Sequence, residues 1–191
     1  TSMDGVSRDF VELPSQFMEN FALEKEWLDT WAEHYQTGEK IPQEYIDKIK
    51  KSSNFQAGYA SDRQLSFGMV DMAWHTITEP VTEPLVDFEQ RAMGKTEIMP
   101  VVKGSAFSPA FGHIFAGGYA AGYYGYKWAE VLDADAFSLF KQNGIFDKAT
   151  AESFRCNVLE KGASEKPMTL YKRFRGQEPT VDALLERSGL K

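Results

Sequence analysis

Phe111-Gly112-His113-Ile114-Phe115-Ala116-Gly117-Gly118-Tyr119-Ala120-Ala121-Gly122-Tyr123-Tyr124-Gly125-Tyr126-Lys127-Trp128 carries a histidine near its start, passes a Gly-Gly pair and then sets out tyrosines. Tyr119, Tyr123 and Tyr126 stand four and three residues apart, a spacing that predicts a helix from Tyr119 to about Gln142 with three phenols on one face. Ala120, Ala121, Gly122 and Gly125 lie between them and leave the backbone open to close approach. An aromatic stripe at helical spacing is commonly core. A core more often uses Leu or Phe, because a buried hydroxyl left unpaired costs about 1–3 kcal/mol. A row of phenols behind a Gly-rich hinge also suits a polar, extended ligand such as a peptide backbone.

Outward from this stretch the chain reads as helices separated by glycine and proline. Phe10, Leu13, Phe17, Phe21, Leu28 and Trp31 form an apolar face on a long helix from Asp9 to about Gln36, with Asp9 as its cap, Pro14 near its first turn and Gly38 as its stop. Residues 42–52 form a shorter helix with Tyr45, Ile46 and Ile49 inward and Lys48, Lys50 and Lys51 outward. A third helix runs from Phe55 to about Thr76. A fourth, capped by Thr82 with Pro84 in its first turn, ends near Gly94. Residues 94–112 read as a long loop, a class of segment that often carries function. Helices at residues 147–159, 167–174 and 180–187 follow, stopped by Gly162, Gly176 and Gly189. Strand patterns are nearly absent. The expectation is an all-α, multi-helix fold, with residues 1–191 as one α-helical domain.

Composition narrows the function. The formal net charge of -7 disfavours nucleic acid and anionic membrane as partners. The single cysteine, Cys156, rules out an internal disulfide and suits a reducing compartment, so a cytoplasmic location is expected. No apolar run approaches the ~20 residues that span a bilayer. Thr1-Ser2-Met3-Asp4-Gly5 has neither a basic nor an apolar region and reads as a cut point in a longer protein.

The first helix opens Asp9-Phe10-Val11-Glu12-Leu13-Pro14-Ser15-Gln16-Phe17-Met18-Glu19-Asn20. Glu12 and Glu19 are seven residues apart, on one helical face, and Glu12 sits among Phe10, Val11 and Leu13. A carboxylate in such company is paired, turned outward or bound to a metal; a helix dipole also favours Glu at this end. Taken with His113-Ile-Phe-Ala-Gly-Gly-Tyr119-x-x-x-Tyr123-Tyr-x-Tyr126, with Tyr171-Lys-Arg-Phe-Arg175-Gly176-Gln-Glu178-Pro179 and with the closing Asp182-Ala-Leu-Leu, the whole chain in order resembles the thimet-oligopeptidase (M3) family of zinc metallopeptidases.

The resemblance implies a C-terminal fragment of a neurolysin-like catalytic domain with a long Gly-rich loop. By the match, Glu12 would be a zinc ligand and Glu19 a carboxylate that orients it. His113, Tyr119 and Tyr126 match residues that bind substrate and stabilise the oxyanion. Tyr123, Gly117 and Gly118 belong to the mobile loop that contacts substrate. The family also uses a helix bearing His-Glu-x-x-His, which supplies two zinc ligands and the general base. The three histidines here, His34, His75 and His113, form no such motif. Because a catalytic zinc takes three protein ligands, the fragment is expected to bind zinc weakly and to be inactive alone, needing the N-terminal remainder of the same enzyme. The implied parent hydrolyses short peptides, releasing C-terminal dipeptides. The alternatives are internal cleavage of the oligopeptidase A type, or a helical interaction module without catalysis, which needs no His-Glu-x-x-His upstream.

Overall fold

The computed structural model describes residues 4–191; the first three residues of the Thr1-Ser2-Met3-Asp4-Gly5 reading lie outside the described residues. In chain order the helices are α1 (Leu13–Glu19), α2 (Lys25–Leu28), α3 (Gln43–Ser53), α4 (Ala57–His75), α5 (Leu85–Met93), α6 (Gly112–Phe115), α7 (Gly125–Asn143), α8 (Lys148–Phe154), α9 (Pro167–Arg175) and α10 (Asp182–Arg187). Among the described residues the only extended pairing is one isolated antiparallel bridge between Glu33 and Lys40, so the fold is all-α as expected. No described helix is long and apolar enough to cross a membrane. Two compact units emerge. One comprises the chain up to Phe55 together with Trp128–Lys191, and the other is Gln56–Lys127.

In the first unit the long helix expected from Asp9 to Gln36 is broken. After α1 the chain tightens into a 3-10 turn, Asn20–Leu23, and Glu24 is extended before the single turn of α2. The cause is tertiary. The Asn20 amide donates to the carbonyls of Gln16 and Phe17 at 3.1 Å and to Asp133 of α7 at 2.9 Å, which draws the helix end toward α7. Gly38, read as a helix stop, instead takes φ 72° in the turn between Glu33 and Lys40. The start also differs: Glu12, not Asp9, holds the cap position.

The core of this unit is aromatic. Leu13 and Phe17 of α1 and Phe21 pack with Leu132, Phe137 and Phe140 of α7, Phe154 of α8, and Tyr171 and Phe174 of α9. Phe17 stacks on Phe154 at 4.4 Å and meets Phe21 and Phe137 edge-on at 5.6 and 5.9 Å. Full burial of each such ring contributes about 1.5–3 kcal/mol. α3 buries Ile46 but leaves Tyr45 and Ile49, expected inward, 55% and 51% exposed. Only a narrow stripe of α3 is needed to close the small cluster of Leu28, Ala32 and Ile46.

Two buried carboxylates on α7 hold the chain's end. Asp135 accepts from the Tyr171 hydroxyl at 2.6 Å and from Arg175 Nε at 3.1 Å; Asp133 is paired with Arg187 of α10. The Tyr171…Arg175 motif is thus a tie between α9 and α7.

In the second unit α4 and α5 build a frame around Val70, Met93, Phe111 and Ile114, with Phe67, Trp74 and Phe107 against them. α5 begins behind Pro84 rather than Thr82, since proline lacks the N–H that a cap would satisfy. The segment after Gly94 stays irregular up to a short 3-10 turn, Ser108–Ala110. Glu89, buried on α5, anchors that turn, accepting from Phe107 N at 2.9 Å and Ser108 N at 2.6 Å; Trp74 Nε1 donates to Ser108 Oγ at 2.9 Å.

Candidate active-site tyrosine cluster

The helix predicted from Tyr119 does not begin there: α7 starts at Gly125. Residues 119–124 instead form consecutive turns, with Gly122 N donating to Tyr119 O at 2.8 Å and Gly125 N to Gly122 O at 3.0 Å. Gly118 (φ 81°) and Ala121 (φ 53°) are both in the left-handed region, and two such residues within one turn are incompatible with an α-helix. The amides of Ala121 and Tyr123 bond to Asp71 of α4 rather than to helical carbonyls.

The phenols nevertheless converge. Tyr119 stacks on Tyr126 with ring centroids 5.0 Å apart, and Tyr123 lies 5.1 Å from Tyr126. The His113 ring is 5.9, 6.1 and 6.2 Å from Tyr119, Tyr123 and Tyr126. His113 is exposed and the three tyrosines are half-buried, so the cluster is a surface constellation rather than core. Phe111, fully buried, supports it from below, 5.1 Å from Tyr123.

The glycines explain how the turn closes on the histidine. A Cβ on Gly117 would lie 2.9 Å from His113 Cα, closer than real contacts allow, while Gly118 supplies the positive φ that reverses the chain. Tyr119 N then donates to His113 O at 3.1 Å, fastening the start of the tyrosine run to α6.

Tyr123 is tied to α4. Its hydroxyl donates to Gln64 Oε1 at 3.1 Å, and partial burial pushes its pKa above the usual tyrosine value, with Arg63 pulling the other way. It is therefore a neutral donor at physiological pH.

Glu12 stands at the cap of α1, half-buried, in the first unit. Ser15 Oγ donates to its carboxylate at 2.7 Å and also reaches its carbonyl at 3.0 Å, so the serine of the Pro14-Ser15-Gln16 motif orients the acid. Glu19 closes α1 and is exposed. Among the described residues no three His, Cys, Asp or Glu side chains gather as a metal site. A carboxylate oriented in this way has the chemistry of one oxygen ligand to a zinc ion, and the set of three that a catalytic zinc takes is not gathered among the described residues.

Asp71, Glu89 and Ser15 were not singled out from the sequence. The available signal was acidic residues, Asp71 and Glu89, at inward positions of otherwise apolar helix faces, which demands buried partners.

Comparison with known proteins agrees with this arrangement of motifs. The profile of Peptidase family M3 matches residues 1–190. The chain is similar to oligopeptidase A of Escherichia coli (strain K12), 47% identical over all of this chain and 28% of that protein. It is similar to the dipeptidyl carboxypeptidase of Salmonella typhimurium, 38% identical over 96% of this chain and 27% of the relative. Saccharolysin of Saccharomyces cerevisiae is 34% identical over 96% of this chain and 26% of its own length. The chain thus spans little more than a quarter of these relatives. A match over nearly every residue, at this identity, establishes that the chain belongs to peptidase family M3.

Proposed function

We propose that the chain is the C-terminal part of the catalytic domain of a zinc-dependent oligopeptidase, with both units belonging to that one domain. The observation that carries this reading is the surface cluster of exposed His113 with half-buried Tyr119, Tyr123 and Tyr126 on a Gly-rich turn. Phenol and imidazole N–H and O–H groups at one surface are suited to a peptide carbonyl and to the oxyanion it becomes.

In this reading Glu12 is one zinc ligand, kept in place by Ser15, and Glu19 orients the site from the end of the same helix. The two remaining ligands and the general base come from a His-Glu-x-x-His in the N-terminal remainder of the enzyme. Zinc bound there supplies Lewis-acid polarisation of a water and of the scissile carbonyl. Tyr119 or Tyr126 donates to the tetrahedral oxyanion. His113 donates to the peptide backbone, and Tyr123 holds the inner wall of the cluster. Gly117 and Gly118 let the turn approach the peptide main chain closely. Short peptides are the substrates, a nucleic acid or membrane role is not expected, and a cytoplasmic location suits this chain's one cysteine, Cys156, which is free.

Release of C-terminal dipeptides is the mode expected from the sequence. Internal cleavage of the oligopeptidase A type gains support from the higher identity to the oligopeptidase A of E. coli, 47%, against 38% to the Salmonella dipeptidyl carboxypeptidase. A peptide amidated at its C-terminus separates them: internal cleavage proceeds, whereas dipeptide release stalls.

Metal analysis tests the core of the proposal. In the full-length parent Glu12→Ala loses its zinc, while Glu19→Ala weakens zinc binding by roughly tenfold to a hundredfold. Wild-type zinc content in Glu12→Ala would sink the ligand assignment. The 191-residue chain alone neither retains stoichiometric zinc nor hydrolyses peptide; chelator-sensitive hydrolysis by it would overturn the fragment reading.

A further inference from the structure

Asp71 lies on the inward stripe of α4 and is fully buried. Its two carboxylate oxygens have separate tasks. Oδ1 accepts from Ala121 N and Oδ2 from Tyr123 N, both at 2.9 Å. His75, one helical turn on, bonds through Nδ1 to the Asp71 carbonyl oxygen at 2.8 Å and stands beside Oδ1 at the same distance. A buried carboxylate facing two backbone N–H groups is a rigid acceptor, because its alternative to these bonds is an unsolvated charge.

The residue it holds is strained. Ala121 has φ 53°, a conformation that L-residues other than glycine, asparagine and aspartate avoid, and one that persists only where the surroundings over-determine it. The two amides that Asp71 bonds flank Gly122, whose own N–H is bonded to Tyr119 O, while Tyr126 N reaches Tyr123 O at 3.2 Å. Backbone bonds therefore tie Tyr126 to the Asp71-held Tyr123, and Tyr119 to Gly122 between the two held residues; the two rings stack on each other 5.0 Å apart.

We propose that Asp71 is a positioning residue of the peptidase site: by clamping Ala121 and Tyr123 it holds the strained turn that sets the Tyr119–Tyr126 pair. The proposal rests on the function given above for those phenols. Asp71 acts entirely through the backbone of the turn.

The test is a double-mutant cycle in the full-length, zinc-loaded parent. Asp71→Asn nearly preserves shape but places an NH2 against one of the two amides. Turnover falls by roughly tenfold to a hundredfold, as small misplacements of positioned groups do, with KM moving by no more than about threefold and zinc content unchanged. In the Tyr126→Phe or Tyr119→Phe background the same substitution costs no more than about threefold, because the group it positions is already gone. Ala121→Gly, which removes the strain at positive φ, restores part of the lost turnover in Asp71→Asn. Equal losses in wild-type and Tyr→Phe backgrounds, or no loss in folded Asp71→Asn, would overturn the proposal.

Two further readouts keep the outcomes separate. Should Asp71→Asn fail to fold, hydrogen exchange on the unmutated enzyme decides: the Ala121 and Tyr123 amides exchange far more slowly than that of Ala120, and exchange at a common rate overturns the clamp. Full turnover in both Tyr119→Phe and Tyr126→Phe removes the function assigned to the phenols. Loss of turnover there with none in Asp71→Asn removes only the role given to Asp71.

Discussion

A phenol hydroxyl and the ring that carries it do separable work, and the tyrosine cluster makes the separation measurable. Tyr119 and Tyr126 stack on each other, and that ring contact survives replacement by phenylalanine. Tyr119→Phe and Tyr126→Phe in the parent enzyme keep that packing, so stability should change only by the net worth of one hydroxyl's bonds, about 0.5–1.5 kcal/mol. Turnover should fall by ~10²–10³ in whichever variant loses the oxyanion donor, with KM changing much less, because that bond strengthens in the transition state. Tyr123→Phe behaves differently. Its hydroxyl is committed to Gln64, so its removal strands a half-buried amide oxygen and lowers the melting temperature, with a smaller effect on turnover. Melting and steady-state kinetics on the three variants check this pattern. Reduced stability with intact turnover in both Tyr119→Phe and Tyr126→Phe would return the cluster to a packing role.

At the scale of elements, the second unit places its site with helices that are not part of it. α4 and α5 each turn an acidic residue inward, and each acid ends on the backbone of a later, non-helical segment: Asp71 on residues 121 and 123, Glu89 on residues 107 and 108. The His113–Tyr119 turn lies between these two attachment points in the chain. Removing Glu89 leaves the Phe107 and Ser108 amides without their acceptor in a site where Ser108 is itself buried. Glu89→Ala should cost roughly 1–3 kcal/mol, and more if the cavity stays dry. Denaturant titration gives the energy. Hydrogen exchange should show those two amides, together with the 3-10 turn Ser108–Ala110, losing protection before α4 does. Unchanged protection at Phe107 and Ser108 would show that Glu89 is not what anchors the turn.

For the whole molecule the buried polar ties of the first unit set a pH limit. Burial, and then the hydrogen bond to Asp135, push the Tyr171 pKa well above that of a free phenol. The folded value lies above the unfolded one, near 10. The contribution of Tyr171 is thus complete below about pH 10 and is lost as pH climbs toward the folded value, at up to about 1.4 kcal/mol per pH unit. The stability difference between wild type and Tyr171→Phe should be constant from pH 7 to 9 and shrink above pH 10. Denaturation midpoints at four or five pH values test it; a difference that stays constant to pH 11 would mean the hydroxyl ionises no differently in the folded chain. The same tie explains why a run such as Tyr171…Arg175 can be characteristic of a chain without touching substrate: Tyr171 and Arg175 meet on Asp135.

The sequence by itself determined the helical class, the position of most helices and the membership of the motifs, because these rest on local periodicity, on proline and glycine, and on residue types at short spacing. It also brought His113 and the three tyrosines together as one candidate site. The reason it offered, a shared helical face, was not the one that operates. Tertiary structure decided that residues 119–124 are turns, because the acceptor for two of their amides is Asp71, some 50 residues earlier. It likewise decided that the first helix stops at Glu19, since the Asn20 amide is drawn to Asp133, 113 residues later. Inward acids and amides look like solvated surface in a sequence, and their partners become visible only when distant segments meet.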